Sequence, residues 1–295
     1  MAVPTLTGPP ADGRLTPSPP GKPRRGGWTA LRYVGLIGAA LVFVGPFVWI
    51  WISSLRTSAD IGRDPFGLPT ELNWDNYVNA FVTGRFGAYL GNTFLYVAFV
   101  VPLVLLLASM AAYALTLVRT RITGLLFVLI LLGVMVPFQS IMIPQYYVVR
   151  DLGLLGSYWG IIVPSLALGL PFGIFLMRAF FLTLPAELRD AARVDGASEL
   201  RVFWHVMLPL ARPGILSLAV FQFMFTWNAF LIPLLYGQHE NLRPVASGIM
   251  FFVGEYNTDR AAIAAAVTLT CLPVIITYLF LQRYFIAGMT AGALK

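Results

Sequence analysis

The sequence predicts an all-α polytopic membrane protein with six transmembrane helices, and three observations carry that prediction. Of its 295 residues, 58% are hydrophobic and 11% charged, with a mean hydropathy of +0.77. Soluble domains carry roughly 25% charge and about 45–50% apolar residues, so a water-soluble fold would leave much apolar surface exposed. Six stretches lack Asp, Glu, Lys and Arg, and each reaches the roughly 20 residues needed to cross hydrocarbon. The basic residues between these stretches are distributed unequally from one loop to the next. A single Cys excludes an internal disulfide framework, and two His, His205 and His239, leave no cluster for zinc. The net charge of +7 is scattered rather than patched, which argues for membrane topology and against nucleic acid.

Residues 1–27 hold seven of the 21 prolines and almost no large apolar residue. Such a segment cannot bury enough surface to offset its ordering entropy, so it reads as a disordered cytoplasmic tail. It is not a cleavable signal peptide, because the first apolar run is too long for one and no small-x-small site follows. Residues 28–295 then form the transmembrane domain. Its spans are predicted at 33–55, 86–118, 122–149, 152–177, 213–239 and 261–282. The second exceeds the length of one crossing, so its first residues are expected to lie at the interface. Pro46, Pro102, Pro137, Pro144, Pro164, Pro171 and Pro273 fall inside these runs. Neighbouring helices and Ser/Thr groups can satisfy the carbonyls that proline frees.

Orientation follows from charge. With the N-terminus inside, the cytoplasmic segments hold 14 of the 20 Lys and Arg residues. The outer loops hold Arg56, Arg63, Arg85, Arg150, Arg243 and Arg260. The positive-inside rule therefore predicts two cytoplasmic termini. Loops 56–85 and 240–260 are the longer outer ones and lean acidic.

No Asp, Glu, Lys or Arg lies within a span. Pumps, proton-coupled carriers and voltage sensors need an intramembrane ionisable residue, so the sequence favours a neutral solute and no autonomous pump. ATP use would require G-x-x-x-x-G-K-[ST]. The two lysines, Lys22 and Lys295, lie in no such loop. No nucleophile–base set or carboxylate pair occurs within the membrane, so no catalytic residue is assigned.

The segment 182–213 reads LTLPAELRDAARVDGASELRVFWHVMLPLARP. Pro185 suits a helix start. Leu188, Ala191 and Ala192 give a narrow face of small residues, with Glu187, Arg189, Asp190 and Arg193 around the rest. Gly196 supplies a sharp turn. Ser198 is placed as N-cap, with Glu199 at the positive helix end. Leu200, Phe203, Trp204 and Met207 form an apolar stripe. Pro209 stops the second helix and Pro213 opens the fifth span. Periodicity alone gives a helical hairpin on the cytoplasmic surface, and a mere connector between two spans would look the same.

The run from Pro185 to Ser198, followed by Phe203 and by Leu208–Pro209, resembles the cytoplasmic loop signature of ABC import permeases. Asp190 stands where the family more often has Glu, a shorter side chain of the same charge. The resemblance continues from about residue 45 to the end. It includes Ser53–Arg56 with Leu72–Tyr77, Asn92–Thr93 with Ala111–Ala114, and Pro137 to Pro144. Leu152–Leu154, Trp227–Asn228 and the tail from Gln282 to Lys295 complete it. Together these are similar to the shorter, six-span subunit of maltose-type sugar importers.

The resemblance implies the type I importer permease fold, with a core near 86–284 and an ATPase-coupling loop at 182–213. It assigns coupling to Glu187, Asp190, Ala191, Ala192, Asp195, Gly196, Ala197, Phe203 and Pro209, docked in an ATPase cleft. It implies a bacterial plasma-membrane location and four partners besides the bilayer: a second homologous permease, two ATP-binding subunits and an extracytoplasmic solute-binding protein. No cofactor is expected on this chain, since ATP and Mg would sit on the partners. Trp227, Asn228 and Gln139 are the candidates for a substrate path, because amides suit hydroxyl-rich solutes. Interhelical hydrogen bonding is the competing role for Asn228. Gln222 and Thr226 are predicted to point away from Asn228, so the three should not line one path. Import of another small solute such as glycerol phosphate, or a scaffold or channel without an ATPase, are the alternatives.

Overall fold

The computed structural model describes residues 26–118, 120–253 and 258–293. The predicted tail therefore lies outside the described residues except for Gly26 and Gly27, which open the first helix. The chain divides into two units, one ending at Phe47 and one starting at Val48. In the first, α1 (Gly26–Ser54) exposes a run of large apolar residues that includes Leu36, Leu41 and Phe43. Water cannot solvate such a surface favourably; lipid can.

The second unit opens with the last turns of α1, pinned by side chains of the following loop. Asn76 donates its amide to the carbonyls of Ser54 and Arg56, and Ser54 and Tyr77 share a hydroxyl hydrogen bond of 2.6 Å. Short helices α2 (Ser58–Arg63) and α3 (Asp75–Phe81) lead into α4 (Phe86–Leu117). At 32 residues α4 is the central strut, and it is continuous from its first turn. Its first turns are buried within the protein: Phe86 and Tyr89 are enclosed with Ala80, Trp227 and Val245.

Two of the predicted single spans are broken. The run 122–149 becomes α5 (Arg121–Met135) and α6 (Phe138–Asp151), bent by 102°. Thr120 and Thr123 close a capping box at the start of α5. At the other end Val136 is extended, the conformation a following proline favours, and Pro137 caps α6. The run 213–239 becomes α11 (Arg212–Trp227) and α12 (Leu231–Tyr236), interrupted at Asn228. Among the described residues four helices are long and apolar enough to cross a membrane, or up to six if two bent pairs, α5 with α6 and the segment Glu199–Leu210 with α11, each make one span. The six-helix expectation thus holds only when broken helices are counted as spans.

Between these lies α7 (Trp159–Phe181). It starts seven residues later than the run at 152 suggests, because Gly153 and Gly156 adopt positive φ in a turn. α4 and α7 form the most extensive helix pair. A Cβ on Gly173 would lie 2.8 Å from the Ala108 Cβ, so the two backbones meet at a contact only glycine permits. Val100, Val104, Ala108 and Met177 are fully enclosed in this seam. α11 packs on both helices, and α14 (Arg260–Ala293) packs on α11 and α3. Beyond α12, α13 (Val245–Gly248) and two 3-10 turns fold back over the start of α4. The described residues contain no named strand, only an isolated bridge between Val253 and Thr258.

Candidate functional site

Two features stand out, one at an end of the bundle and one inside it. The first is the hairpin formed by α8 (Ala186–Val194) and α9 (Glu199–Val202). Gly196 turns the chain at φ +79° with open space around its Cα. The turn is needed for its backbone conformation and not for room. Ala197 donates its N–H to Ala192 and Asp195 to Ala191, which closes the end of α8. Ser198 sits at the N-cap without a side-chain bond.

Past α9 the helix widens into a π-turn over Phe203–Met207, then runs as α10 (Leu208–Leu210). Leu208 donates to Phe203, five residues back. Pro209 has no N–H and its ring crowds the carbonyl four residues earlier; the wider turn accommodates both. Pro209 therefore does not stop this helix, which ends at a 76° bend before Arg212. The π-turn also rotates the predicted stripe. Phe203 and Met207 are buried with Val202, whereas Leu200 and Trp204 are 60% and 43% exposed.

Of the coupling candidates, Glu187, Asp190, Ala191, Asp195, Gly196 and Pro209 lie on the exposed side, while Ala192 and Ala197 pack partly on the core. Arg193 crosses the turn to Glu199 at 2.5 Å and reaches Asp190 at 3.4 Å. The Arg193 guanidinium holds the Glu199 carboxyl below its usual range. Tyr113 of α4 donates to the other Glu199 oxygen at 3.2 Å, with its ring 5.4 Å from Phe203 and 5.7 Å from Phe181. Sequence reasoning gave Glu199 only a role at the helix end and gave Tyr113 none. Nothing in a linear pattern joins residues 86 positions apart.

The second feature is a cavity of about 500 Å³ where both helix breaks meet α7. Val136 and Phe138 line it from the first break, and Asn228 and Phe230 from the second. Phe172 and Phe225, 6.1 Å apart, add aromatic wall. Ser165, Gln222, Thr226 and Asn228 are its polar side chains, and no lining residue is ionisable.

Gln222, Thr226 and Asn228 thus share one wall, against the expectation that they diverge. That expectation assumed a continuous helix, but α11 ends at Trp227. Asn228 caps it, donating its amide to Met224 at 2.8 Å. Gln222 is 3% exposed and donates to Thr226 at 3.3 Å; its Oε1 has no partner among the described residues. Gly169 makes room for this amide, since a Cβ there would lie 2.7 Å from Oε1.

Two of the three path candidates lie elsewhere. Trp227 is wholly buried against Phe94 and Phe223, in the cluster around Tyr89. Gln139 is exposed in the first turn of α6 and does not line the cavity.

Apolar helices around an uncharged cavity, with a charged hairpin at one end, define an all-α integral membrane protein. Residues 104–291 match the family described as binding-protein-dependent transport system inner membrane component, and the chain belongs to that family. It is 31% identical to the diacetylchitobiose uptake system permease protein of Streptomyces coelicolor, over 91% of this chain and 89% of that one. It is 32% identical to the arabinooligosaccharides transport system permease protein of Halalkalibacterium halodurans, over 89% and 95% of the two chains. Its fold is similar to a chain in the crystal structure of a bacterial ABC transporter involved in import of the acidic polysaccharide alginate. That match has a TM-score of 0.78 at 26% identity and covers 91% of this chain and all of the other.

Proposed function

We propose that this chain is a permease subunit of an ATP-driven ABC importer that moves a neutral sugar across the plasma membrane by alternating access. The observation that carries the reading is the cavity at the two helix breaks. Discontinuous helices at the midplane are a recurrent way to build a solute site in lipid. The unpartnered Gln222 Oε1 asks for a hydrogen-bond donor, which a sugar hydroxyl supplies. The phenylalanine walls offer apolar faces to a pyranose ring. An anion would enter with no cation to receive it and bear the full desolvation cost. This disfavours glycerol phosphate and uronates, although one structural relative serves an acidic polysaccharide.

The names of the relatives support sugar import. The family description supports a binding protein as partner. In this reading a binding protein delivers the sugar from outside, beside a second permease. Two ATPase subunits bind ATP and Mg on the cytoplasmic side. Neither lysine of this chain lies in a phosphate-cradling G-x-x-x-x-G-K-[ST] loop. The exposed acidic positions Glu187, Asp190 and Asp195 present the docking face of the hairpin, and both termini share its side of the membrane.

The test is uptake by the complete complex in proteoliposomes, offered a neutral oligosaccharide and a uronate-containing one of equal length. The neutral sugar should be transported and the uronate excluded. Gln222→Leu should raise the half-saturating concentration of the neutral sugar about three- to tenfold, the value of one hydrogen bond, at unchanged assembly. Equal transport of both sugars, or an unaffected Gln222→Leu complex, would overturn the assignment.

A further inference from the structure

Helix α4 ends in the same arrangement twice. Near its start Tyr89 donates to Glu240 Oε1 at 3.1 Å, while Arg85 holds the other oxygen at 3.3 Å. Near its finish Tyr113 donates to Glu199 Oε2, while Arg193 holds the other oxygen. Both tyrosine side chains are buried, at 1% and 5% exposure. Each glutamate belongs to a segment outside α4, one to the loop after α12 and one to the hairpin. Further bonds fix the first segment: Asn92 to the carbonyls of Asn241 and Arg243, Tyr96 to that of Leu242, and the Val245 N–H to Thr93. At the hairpin, Tyr113–Glu199 is the hydrogen bond between it and α4 among the described residues. Twenty-four residues of helix separate the two tyrosines, about 36 Å at ~1.5 Å per residue. That stretch is stiffened by the Ala108–Gly173 contact with α7.

We propose that Tyr113 and Tyr89 are positioning residues that make α4 a connecting rod between the hairpin and segment 240–245. A displacement of the hairpin enters α4 through Glu199 and leaves it through Glu240, and the reverse route is equally open. Coupling between two sites is reciprocal in free energy. The segment at 240–245 lies on the side assigned above to the binding protein, so the inference rests on the importer reading. It adds that binding-protein engagement reaches the ATPases through these two hydroxyls. Phenylalanine keeps each ring and removes only the hydroxyl.

The experiment measures ATPase activity of the complete complex in nanodiscs, with and without sugar-loaded binding protein. The complexes are wild type, Tyr113→Phe, Tyr89→Phe and the double variant. Tyr113→Phe should reduce stimulation by the binding protein fivefold or more, within the usual range of coupling effects. Tyr89→Phe should reduce it measurably but less, since the other bonds to segment 240–245 remain. Basal ATPase and assembly should be unchanged in both. Sites this far apart ordinarily act independently. As links of one series path the two changes interrupt the same route, so the double variant should lose clearly less than the product of the single losses that independent sites would give. Wild-type stimulation in either single variant would overturn the proposal, and so would losses that simply multiply. A wild-type complex that the binding protein fails to stimulate would overturn the importer reading itself, and this one with it.

Discussion

At the scale of single residues, Gly196 shows how a backbone requirement differs from a packing one. Its φ of +79° lies where residues with a Cβ are strained, yet no atom comes within 4 Å of the position a Cβ would take. Size is therefore irrelevant and conformation decides. Gly196→Val should misplace α9, at about 1–2 kcal/mol or more of local strain. Sugar uptake should fall while insertion in the membrane stays normal. Gly196→Asn, whose side chain tolerates the left-handed region, should transport nearly as wild type. Equal uptake by both variants would remove the turn from the coupling path. The sequence already marked this glycine, because an Asp-Gly between two helical patterns is a local signal. Gln222 is the contrary case. Its type was visible, but its orphaned carbonyl depends on Gly169, 53 positions earlier.

At the scale of elements, the α4–α7 seam and the helix breaks obey different rules. Gly173 meets Ala108 so closely that Gly173→Ala must separate the helices or distort them, a cost of about 1–3 kcal/mol for overpacking. The thermal midpoint of the purified protein in detergent should drop. Adding Ala108→Gly removes the atom that clashes and should restore part of the loss, less roughly 1 kcal/mol for glycine inside a helix. A single Gly173→Ala variant with an unchanged midpoint would show that the seam is loose. Hydropathy marked the four helices long enough to cross a membrane but could not divide the runs 122–149 and 213–239. Pro137 announces a possible break, and Pro102 in α4 carries the same mark without producing one. The difference lies in the neighbours: α4 is enclosed by α7 and α11, whereas Val136 and Phe138, on either side of Pro137, line the cavity. The register of the hairpin stripe failed for a related reason, since a π-turn cannot be read from a period that assumes 3.6 residues.

At the scale of the whole molecule, the two ends of the bundle differ in chemistry. One carries the hairpin with its exposed acidic and basic residues. The other carries segment 240–245, tied to Tyr89, Asn92 and Tyr96 of α4. Placing the hairpin in the cytoplasm predicts a labelling pattern. With Cys271 replaced, single cysteines in loops 56–85, 150–158 and 240–260 should react with an impermeant thiol reagent added to intact cells. Cysteines at 186–205 should react only after permeabilisation. Reaction of the hairpin in intact cells would invert the topology and with it the coupling role.

Composition, charge-free runs and the hairpin signature determined the class of the protein, because each is a property of contiguous residues facing a common solvent. Lipid rewards uninterrupted apolar helix whatever the partner helices are, so membrane residence is written locally. The same holds for the glycine turn and for the charged face of α8. What only the tertiary structure decided are the relations between distant residues. These are the meeting of two broken helices over Ser165 and Gly169, the exclusion of Trp227 from the cavity, and the attachment of Tyr113 to Glu199. Each arises from the packing of one helix against another. A linear pattern specifies which face is apolar but not which neighbour it meets, nor where a helix may end unsupported.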